Sequence, residues 1–311
     1  METTDLRSKR VLITGITGFV GSSLANKLRS LGVVVYGISR SLASDKRNLR
    51  ANMLDYSVIS NFIKDSKIQI CFHLAGESLV EAGQNDPYHT FKINTEGTLN
   101  ILEIARKSTM EKIIIASTAH VYGNNKLPYL EEYTPKPSRP YETSKACTDL
   151  IAQSYANTFE LPVLIPRFVN IYGPGDLNFS RLIPKTIKAV LSNTTPKMWG
   201  GKAIRDYLYI EDSISAYLKL AEINISLIGN NRIFNFGSNN KISVENLIKK
   251  IINLSGKKVI IEKIDEGRAS EIKSQYVSIE KASKVLGWKP ITTLEKGLRK
   301  TLRWYEKYLN A

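Results

Sequence analysis

A glycine-rich turn near the start of the chain constrains the fold more than any other sequence feature. The apolar run RVLIT leads directly into TGITGFVG, after which Leu24 and Leu28 recur at helical spacing. Gly15, Gly18 and Gly21 let the backbone approach a pyrophosphate, and the following helix presents free N–H groups to its negative charge. The strand, turn and helix therefore predict a dinucleotide-binding unit, with the spacing G-x-x-G-x-x-G.

Strand-like and helix-like segments alternate through the first half of the chain. The apolar runs VVVYGIS, IQICFHLA, KIIIAS and LPVLIPRF follow RVLITG, and segments of helical periodicity separate them. This alternation predicts an α/β fold, a Rossmann doubly wound parallel sheet with right-handed crossovers. We predict an NAD(P)-binding domain over 1–170, rejoined by 206–240. Residues 171–205 and 241–311 are then expected to form a smaller, discontinuous C-terminal substrate-binding lobe.

Composition narrows the possible partners and compartments. The 311 residues include 42% hydrophobic and 23% charged residues and carry a net charge of +15. Because the lysines are scattered, we expect a solvated basic surface and no nucleic-acid binding. Cys71 and Cys147 lie in apolar or helical contexts, which predicts reduced thiols and a cytoplasmic location. METTDLRSKR does not resemble a signal peptide, no apolar run is long enough to span a membrane, and no metal site is predicted.

The end of the second predicted strand bears on which nicotinamide cofactor binds. An acidic residue there would favour the ribose hydroxyls of NAD, whereas an arginine would favour the 2′-phosphate of NADP. The sequence is GISRS, in which Ser39 and Arg40 place a hydroxyl beside a guanidinium. We therefore expect NADP(H) in preference to NAD(H). The alternative is that Arg40 is a solvated loop charge.

Two short stretches, STAHVYG and YETSK, predict a proton-transfer site. Tyr141 and Lys145 are four residues apart on a predicted helix, so their side chains share one face. A nearby ammonium is expected to lower the pKa of the tyrosine and let it exchange a proton with a sugar hydroxyl or carbonyl. Thr118, at the end of the preceding strand, would hydrogen-bond the same oxygen. This arrangement predicts hydride transfer between a sugar carbon and nicotinamide.

Nine motifs together give the chain a clear family resemblance. TGITGFVG, HLAGES, NTEGTLNILE, STAHVYG, YETSK, RFVNIYGPG, RDYLYIED, GRASE and LGWKP occur in the order found in extended short-chain dehydrogenases/reductases of the nucleotide-sugar epimerase/dehydratase branch. The resemblance covers nearly the whole chain. It implies a Rossmann domain for NAD(P), a lobe for a nucleoside-diphosphate sugar and a Ser/Thr–Tyr–Lys catalytic set, as well as a homodimer formed through a four-helix contact by segments 86–107 and 139–159.

The resemblance also assigns roles to individual residues. Asn52 stands where many relatives have an aspartate against adenine, and its amide could still bond the base. For Arg205 the alternative is a surface charge pair with Asp206. The implied catalytic residues are Thr118, Tyr141, Lys145 and His120. The implied cofactor-binding residues are Gly15, Thr17, Gly18, Phe19, Val20, Gly21, Ser39, Arg40, Asn52, Leu74, Ala75, Gly76, Ser117, Tyr141 and Lys145. The implied substrate-binding residues are Asn170, Arg181, Arg205 and Arg268.

Ala119 and His120 leave the net reaction open. Many 4,6-dehydratases of this branch place an acid directly after the catalytic hydroxyl, where this chain has Ala119. A 4-epimerase or a 4-ketoreductase needs only Thr118, Tyr141 and Lys145. The alternatives are a 4,6-dehydratase in which His120 is the C5 base, a structural role for His120, and an inactive NADP-binding sensor protein.

Overall fold

A computed structural model describes residues 4–264 and 272–310. Its strands are β1 (Arg10–Thr14), β2 (Val34–Ser39), β3 (Asn48–Arg50), β4 (Ile70–His73), β5 (Lys112–Ile115), β6 (Ser117–Thr118), β7 (Val163–Phe168), β8 (Asn170–Tyr172), β9 (Lys197–Trp199), β10 (Ile204–Tyr209), β11 (Ile233–Phe236), β12 (Lys241–Ser243), β13 (Glu262–Ile264) and β14 (Ser274–Gln275).

The helices connect and cover these strands. They are α1 (Phe19–Ser30), α2 (Tyr56–Asp65), α3 (Val80–Asn85), α4 (Pro87–Phe91), α5 (Gly97–Arg106), α6 (Pro140–Thr158), α7 (Leu182–Leu191), α8 (Ile210–Glu222), α9 (Val244–Ser255), α10 (Glu280–Leu286) and α11 (Leu294–Leu309). One π-helical turn, Lys92–Glu96, joins α4 to α5, and a 3₁₀ turn, Ala119–Tyr122, follows β6.

The main sheet of the described chain has eight strands, and the strand pairs within it are parallel. Its order is β11-β7-β5-β4-β1-β2-β3, with β6 paired to β7. The order reverses between β1 and β4, and ligands of such sheets bind beyond the carboxyl ends of the strands at that point. The predicted doubly wound parallel sheet is confirmed.

Side-chain alternation along β1 explains why helices cover both faces of the sheet. Val11 and Ile13 belong to one apolar cluster, together with Leu24 of α1, whereas Leu12 joins a second cluster with Ile59 of α2. These five side chains are completely buried. Burying such a side chain contributes roughly 1.5–3 kcal/mol, so the two clusters fix the sheet between its helical layers.

The later part of the chain divides between the main sheet and smaller ones. β11 returns to the main sheet beside β7, whereas β10 lies in a four-stranded sheet with β8, β12 and β14. β9 pairs with β13 in a separate two-stranded sheet, and α7, α9 and α11 contact one another. Residues from α7, β9 and β10 thereby come to face the carboxyl ends of β4 and β6 across a cleft. Among the described residues, no helix combines the length and apolar character needed to cross a membrane.

Candidate active site

The glycine turn between β1 and α1 has the close backbone contacts expected of a pyrophosphate-binding turn. Gly15 has φ +70°, a left-handed conformation that favours glycine, and a Cβ there would lie 3.0 Å from Cα of Ala75. A Cβ on Gly21 would overlap the carbonyl oxygen of Gly15. Gly18 caps the N-terminus of α1 with extended backbone. Side chains at Gly15 and Gly21 would therefore displace the backbone that leads into the N-terminus of α1, where a helix can meet an anionic group.

Hydroxyl groups gather at the end of β2. The Oγ1 of Thr17 lies 2.6 Å from the Oγ of Ser39 and 3.1 Å from that of Ser41. Arg40, between the two serines, is exposed. Further along, the side-chain oxygen of Asn52 accepts the N–H of Leu54 at 3.2 Å, so a local turn holds this amide. The end of β2 thus offers hydroxyls and a guanidinium to an anionic group.

A buried histidine, which the sequence reasoning missed, supports the turn from beneath. The Oγ1 of Thr14 lies 2.9 Å from Nδ1 of His73 and accepts the N–H groups of Leu74 and Ala75. The other ring nitrogen of His73 lies 3.1 Å from the Oγ1 of Thr98. Burial, aided by the charge of Lys145, lowers the pKa of His73 to about 3. A neutral imidazole therefore ties the ends of β1 and β4 to α5.

Asn94, which was also missed, anchors the loop after β4. Its side-chain oxygen accepts the N–H of Glu77 at 2.7 Å, and its amide donates to the Oγ of Ser144 on α6 at 2.9 Å. A Cβ on Gly76 would approach this oxygen to 2.6 Å, so the loop lies directly against the side chain. Because Asn94 sits in the π-helical turn, ordinary helical periodicity does not reveal which way it faces.

Thr118, Tyr141 and Lys145 meet where β6 approaches α6, and all three line the cleft. The Nζ of Lys145 donates to the carbonyl oxygen of Ala116 at 2.5 Å. Burial raises the pKa of Tyr141 to about 12, against the opposing effects of the charge of Arg181 and a hydrogen bond from Thr118. Burial also lowers the pKa of Lys145 to about 8.

The expectation that Lys145 lowers the pKa of Tyr141 was wrong for this structure. Removal of the phenol from water dominates, since a phenolate is the charged form and burial disfavours it. The opposing charge comes from Arg181, which lies some forty positions further along the chain. The Tyr141 phenol is consequently protonated at neutral pH and is set to donate.

A buried ion pair stands behind the lysine. The carboxylate of Asp149, one turn after Lys145 on α6, accepts from Nε and Nη2 of Arg167 at 2.8 and 2.9 Å. It also accepts from the Oγ of Ser117 at 2.7 Å. Asp149 and Arg167 are at most 1% exposed, and the negative charge of Asp149 partly offsets the effect of burial on the pKa of Lys145. This pair fixes α6 against β6 and β7 close to Thr118 and Lys145.

His120 lies beside the tyrosine in the 3₁₀ turn after β6. Its ring meets that of Tyr141 edge to face, with 6.2 Å between centroids. Its Nδ1 lies 3.5 Å from a carboxylate oxygen of Glu142, and its backbone N–H donates to the Oγ1 of Thr118 at 3.2 Å. Ala119 is completely buried in the apolar core. Of the two residues left open by the sequence, only His120 therefore faces the cleft.

The opposite wall of the cleft carries the predicted substrate residues Asn170, Arg181 and Arg205. Arg181 donates through Nη1 to both carboxylate oxygens of Asp176 at 3.2 Å, and through Nη2 to the Oγ of Ser78 at 3.1 Å. It therefore bridges the two walls of the cleft. Arg268 lies outside the described residues.

The proposed surface pair of Arg205 with Asp206 does not match the position of the aspartate. Asp206 is completely buried and accepts both the N–H and the hydroxyl of Ser238. Arg205 donates through Nη1 to the carbonyl oxygen of Ile204 at 2.9 Å. The guanidinium thus remains part of the cleft wall, while the aspartate belongs to the interior.

The cleft has a volume of about 490 Å³ and brings most of the predicted residues together. Those that line it are Phe19, Val20, Leu74, Gly76, Ser117, Thr118, His120, Tyr141, Lys145, Asn170, Arg181 and Arg205. Residues that sequence reasoning did not assign include Glu77, Ser78, Glu81, Asp176, Lys185 and Lys197. The four cations Arg181, Lys185, Lys197 and Arg205 suit a phosphorylated ligand, and their wide separation in sequence explains why only two were predicted.

Comparison with known proteins agrees with this geometry. Residues 11–237 match the model of the NAD dependent epimerase/dehydratase family. A dTDP-D-glucose 4,6-dehydratase of Dictyostelium discoideum is 30% identical, with 98% of this chain and 83% of the relative aligned.

Two solved structures resemble the whole chain. A UDP-glucose 4-epimerase of Thermotoga maritima, determined with UDP-glucose, has a TM-score of 0.88 and 25% identity over 96% of this chain and 99% of its own. A UDP-glucuronic acid 4-epimerase of Bacillus cereus, determined with UDP-glucuronic acid and NAD, has a TM-score of 0.87 and 25% identity over the same shares. The chain belongs to the NAD-dependent epimerase/dehydratase family.

Proposed function

We propose that this protein modifies a nucleotide sugar by NAD(P)-dependent hydride transfer at C4, as a 4-epimerase or a 4-ketoreductase. The observation that carries the proposal is the meeting of Thr118, Tyr141 and Lys145 in one cleft. The same cleft is lined by Phe19 and Val20, which begin the helix after the glycine turn, and by four cations that suit a diphosphate. The named activities of the relatives from three organisms fall within the same chemistry.

In this proposal Tyr141 moves a proton to and from the C4 oxygen. The raised pKa of its phenol keeps the proton in place at neutral pH, which suits donation to a ketone. Thr118 hydrogen-bonds the same oxygen, and the Lys145 ammonium orients the bound ribose and supplies positive charge. A bound nicotinamide supplies or accepts the hydride. In the oxidative direction Arg181 assists, because its charge favours the phenolate.

We expect NADP(H) to bind more tightly than NAD(H). Thr17, Ser39 and Ser41 hydroxyls beside Arg40 suit a 2′-phosphate, whereas the ribose hydroxyls of NAD are commonly held by a carboxylate at this strand end. The Bacillus cereus relative was determined with NAD, so the preference requires a direct test. Titration with NADPH and NADH should give the lower Kd for NADPH. Equal Kd values, or tighter NADH binding, would contradict the preference.

The substrate half of the cleft is assigned to residues 171–205 and 241–311. Asn170, Arg181 and Arg205, which all line the cleft, are proposed to contact the diphosphate. Arg181 already has Asp176 as a partner, so phosphate oxygens would compete with that carboxylate for the guanidinium. Relatives named for dTDP-glucose and UDP-glucose support a nucleoside-diphosphate sugar as the substrate class.

A 4,6-dehydratase remains the second candidate because His120 faces the cleft beside Tyr141. The alternative of an inactive sensor is disfavoured, since Thr118, Tyr141 and Lys145 are all present and line the same cleft. One incubation with UDP-, dTDP-, CDP- and GDP-sugars and their 4-keto-6-deoxy forms separates these functions. A stereoisomer without net cofactor change indicates an epimerase, NADPH consumption a reductase, and a 4-keto product a dehydratase. Tight cofactor binding without any reaction would support the sensor.

A homodimer through α4, α5 and α6 is proposed from their exposed apolar side chains. Tyr88, Leu99 and Leu150 are 77%, 37% and 51% exposed in the single chain. These residues lie on the helices that the family resemblance assigns to a four-helix contact. Light scattering should give about twice the chain mass, and Leu150→Glu should reduce it to the monomer mass. A monomeric wild type would refute the contact.

A further inference from the structure

Glu142 is a buried carboxylate that the C4 chemistry does not use. It follows Tyr141 directly on α6 and is completely inaccessible to solvent. One oxygen accepts Nε and Nη2 of Arg139 at 2.9 and 2.5 Å, and lies 3.5 Å from Nδ1 of His120. The other accepts the N–H and Oγ of Ser138 at 3.2 and 3.3 Å. A side chain held this fully is ordered in one position.

The charge of Glu142 bears on which nitrogen of His120 carries a proton, because a Glu142 carboxylate oxygen lies 3.5 Å from Nδ1. Burial opposes ionisation, but hydrogen bonds from His120 and Arg139 prevail and hold the pKa of Glu142 at about 2. An ionised carboxylate only accepts hydrogen bonds, so it favours the tautomer of His120 in which the facing Nδ1 carries the proton. A neutral imidazole protonated on Nδ1 has a lone pair on Nε2, the form that can accept a proton.

His120 lies in the wall of the cleft that holds the other proton-transfer groups. The side chain is 17% exposed and lines the cleft that Thr118 and Tyr141 also line. The titratable or charged groups that face it are Glu142 and Tyr141 on α6 and, through Glu142, Arg139 before that helix. The edge-to-face contact with Tyr141 puts the imidazole beside the point where a C4 oxygen would be bonded.

We propose that Glu142 is a positioning residue that keeps the proton of His120 on Nδ1, so that Nε2 becomes a second proton-transfer group in the cleft beside Tyr141. The proposal rests on the proposed function only for the identity of the substrate. Its reaction is proton exchange at a carbon adjacent to a C4 ketone. Elimination or epimerisation at that adjacent carbon requires this step. Epimerisation at C4 itself does not.

The step balances without any further reagent. The C–H bond next to the ketone breaks, the proton goes to Nε2 of His120, and the electron pair forms an enolate whose charge lies on the C4 oxygen. Thr118 and Tyr141 hydrogen-bond that oxygen and stabilise the charge. In deuterated water the imidazolium proton exchanges for a deuteron. Transfer of that deuteron back to the carbon labels the sugar.

Nitrogen NMR of the histidine rings tests the positioning role without any substrate. The chain has only three histidines, at positions 73, 89 and 120, so a His120→Gln variant identifies the signals of His120. The wild type should show protonated Nδ1 and bare Nε2, and Glu142→Gln should shift the population toward the other tautomer. The exposed Glu280→Gln is the matched control and should leave the signals unchanged. Protonated Nε2 in the wild type would overturn the proposal even if Glu142→Gln failed to fold.

Deuterium exchange tests the chemistry. UDP- and dTDP-4-keto-6-deoxyglucose, incubated with enzyme in deuterated water, should gain label next to C4 faster than without enzyme. His120→Gln should slow the gain by about 10²-fold or more, and Glu142→Gln by about tenfold. Wild-type exchange that survives both substitutions, or a wild type that reduces the ketone without exchange, would overturn the proposal. Failure of the proposed function is separate, since it would appear as no C4 reaction by the wild type while the tautomer result stands.

Discussion

Replacement of Gly21 by alanine should impair cofactor binding more than its small size suggests. The new methyl group would overlap the carbonyl oxygen of Gly15 and lie 3.0 Å from the Cα of Ile16. All of these neighbours are backbone, so no flexible side chain can move aside. The turn between β1 and α1 must therefore shift by about 1 Å to restore van der Waals contact.

The shift of this turn should lower both the Tm of the protein and its affinity for NADPH. Overpacking of this kind typically costs about 1–3 kcal/mol of folding free energy. For 311 residues, the usual unfolding entropy converts each kcal/mol into a fall in Tm of about 1.5 °C, so Gly21→Ala should lower Tm by about 2–5 °C. A 1 Å misplacement around reacting groups can cost about 10²-fold in rate, and we expect a loss of similar size in the affinity for NADPH.

Gly18→Ala is the matched control within the same turn. Gly18 has φ −72°, which alanine adopts easily, and its Cβ would lie 3.2 Å from the same carbonyl oxygen. The loss of NADPH affinity in Gly18→Ala should stay below about tenfold, since the backbone must move by only a few tenths of an ångström to make room for the methyl group. Isothermal titration with NADPH and a thermal melt measure both effects. Equal affinities of the two variants, with unchanged Tm values, would refute the assignment of this turn to the pyrophosphate.

The remaining predictions concern the lysine, its buried support and the cofactor phosphate. Asp149→Asn should destabilise the fold by about 3–5 kcal/mol, because it leaves Arg167 buried without its counter-charge. Urea unfolding measures this change, and a loss of unfolding free energy below about 1 kcal/mol would contradict the prediction. The pKa of Lys145 is about 8 in the folded protein and 10.5 in the unfolded chain. Between pH 8 and pH 10.5 the unfolded chain therefore binds more protons than the folded protein, and the free energy of unfolding rises with pH. Relative to Lys145→Met, the wild type should therefore gain unfolding free energy from pH 8 to pH 10, and parallel profiles would argue against the shift. Arg40→Ala should weaken NADPH binding about tenfold and leave NADH binding nearly unchanged; equal effects on both would remove the 2′-phosphate from Arg40.

The spacing of residues in the sequence predicted those parts of the site that residues close together in the chain form. Gly15 and Gly21 reflect a close approach within one turn, and Tyr141 and Lys145 reflect a single helix face, so spacing alone was sufficient. These features depend on residues that are near one another in the chain.

Features that depend on distant segments could not be predicted in this way. The pKa of Tyr141 depends on burial and on Arg181, and neither is visible in YETSK. Asn94 contacts the loop after β4 from a π-helical turn, in which side chains do not follow α-helical periodicity. The contact of His120 with Glu142 joins a 3₁₀ turn to a helix 22 residues later, and Glu142 reads in the sequence as an ordinary first-turn acid of α6.

The central claim is that hydride leaves or reaches C4 of a nucleotide sugar while Tyr141 carries the proton. The most direct test uses nucleotide sugars deuterated at C4, with mass spectrometry of the bound nicotinamide after rapid quenching. We expect deuterium on the nicotinamide ring during turnover by the wild type, and none with Tyr141→Phe, which should still bind the cofactor. Turnover of the sugar with no deuterium on the ring, or undiminished transfer by Tyr141→Phe, would contradict it.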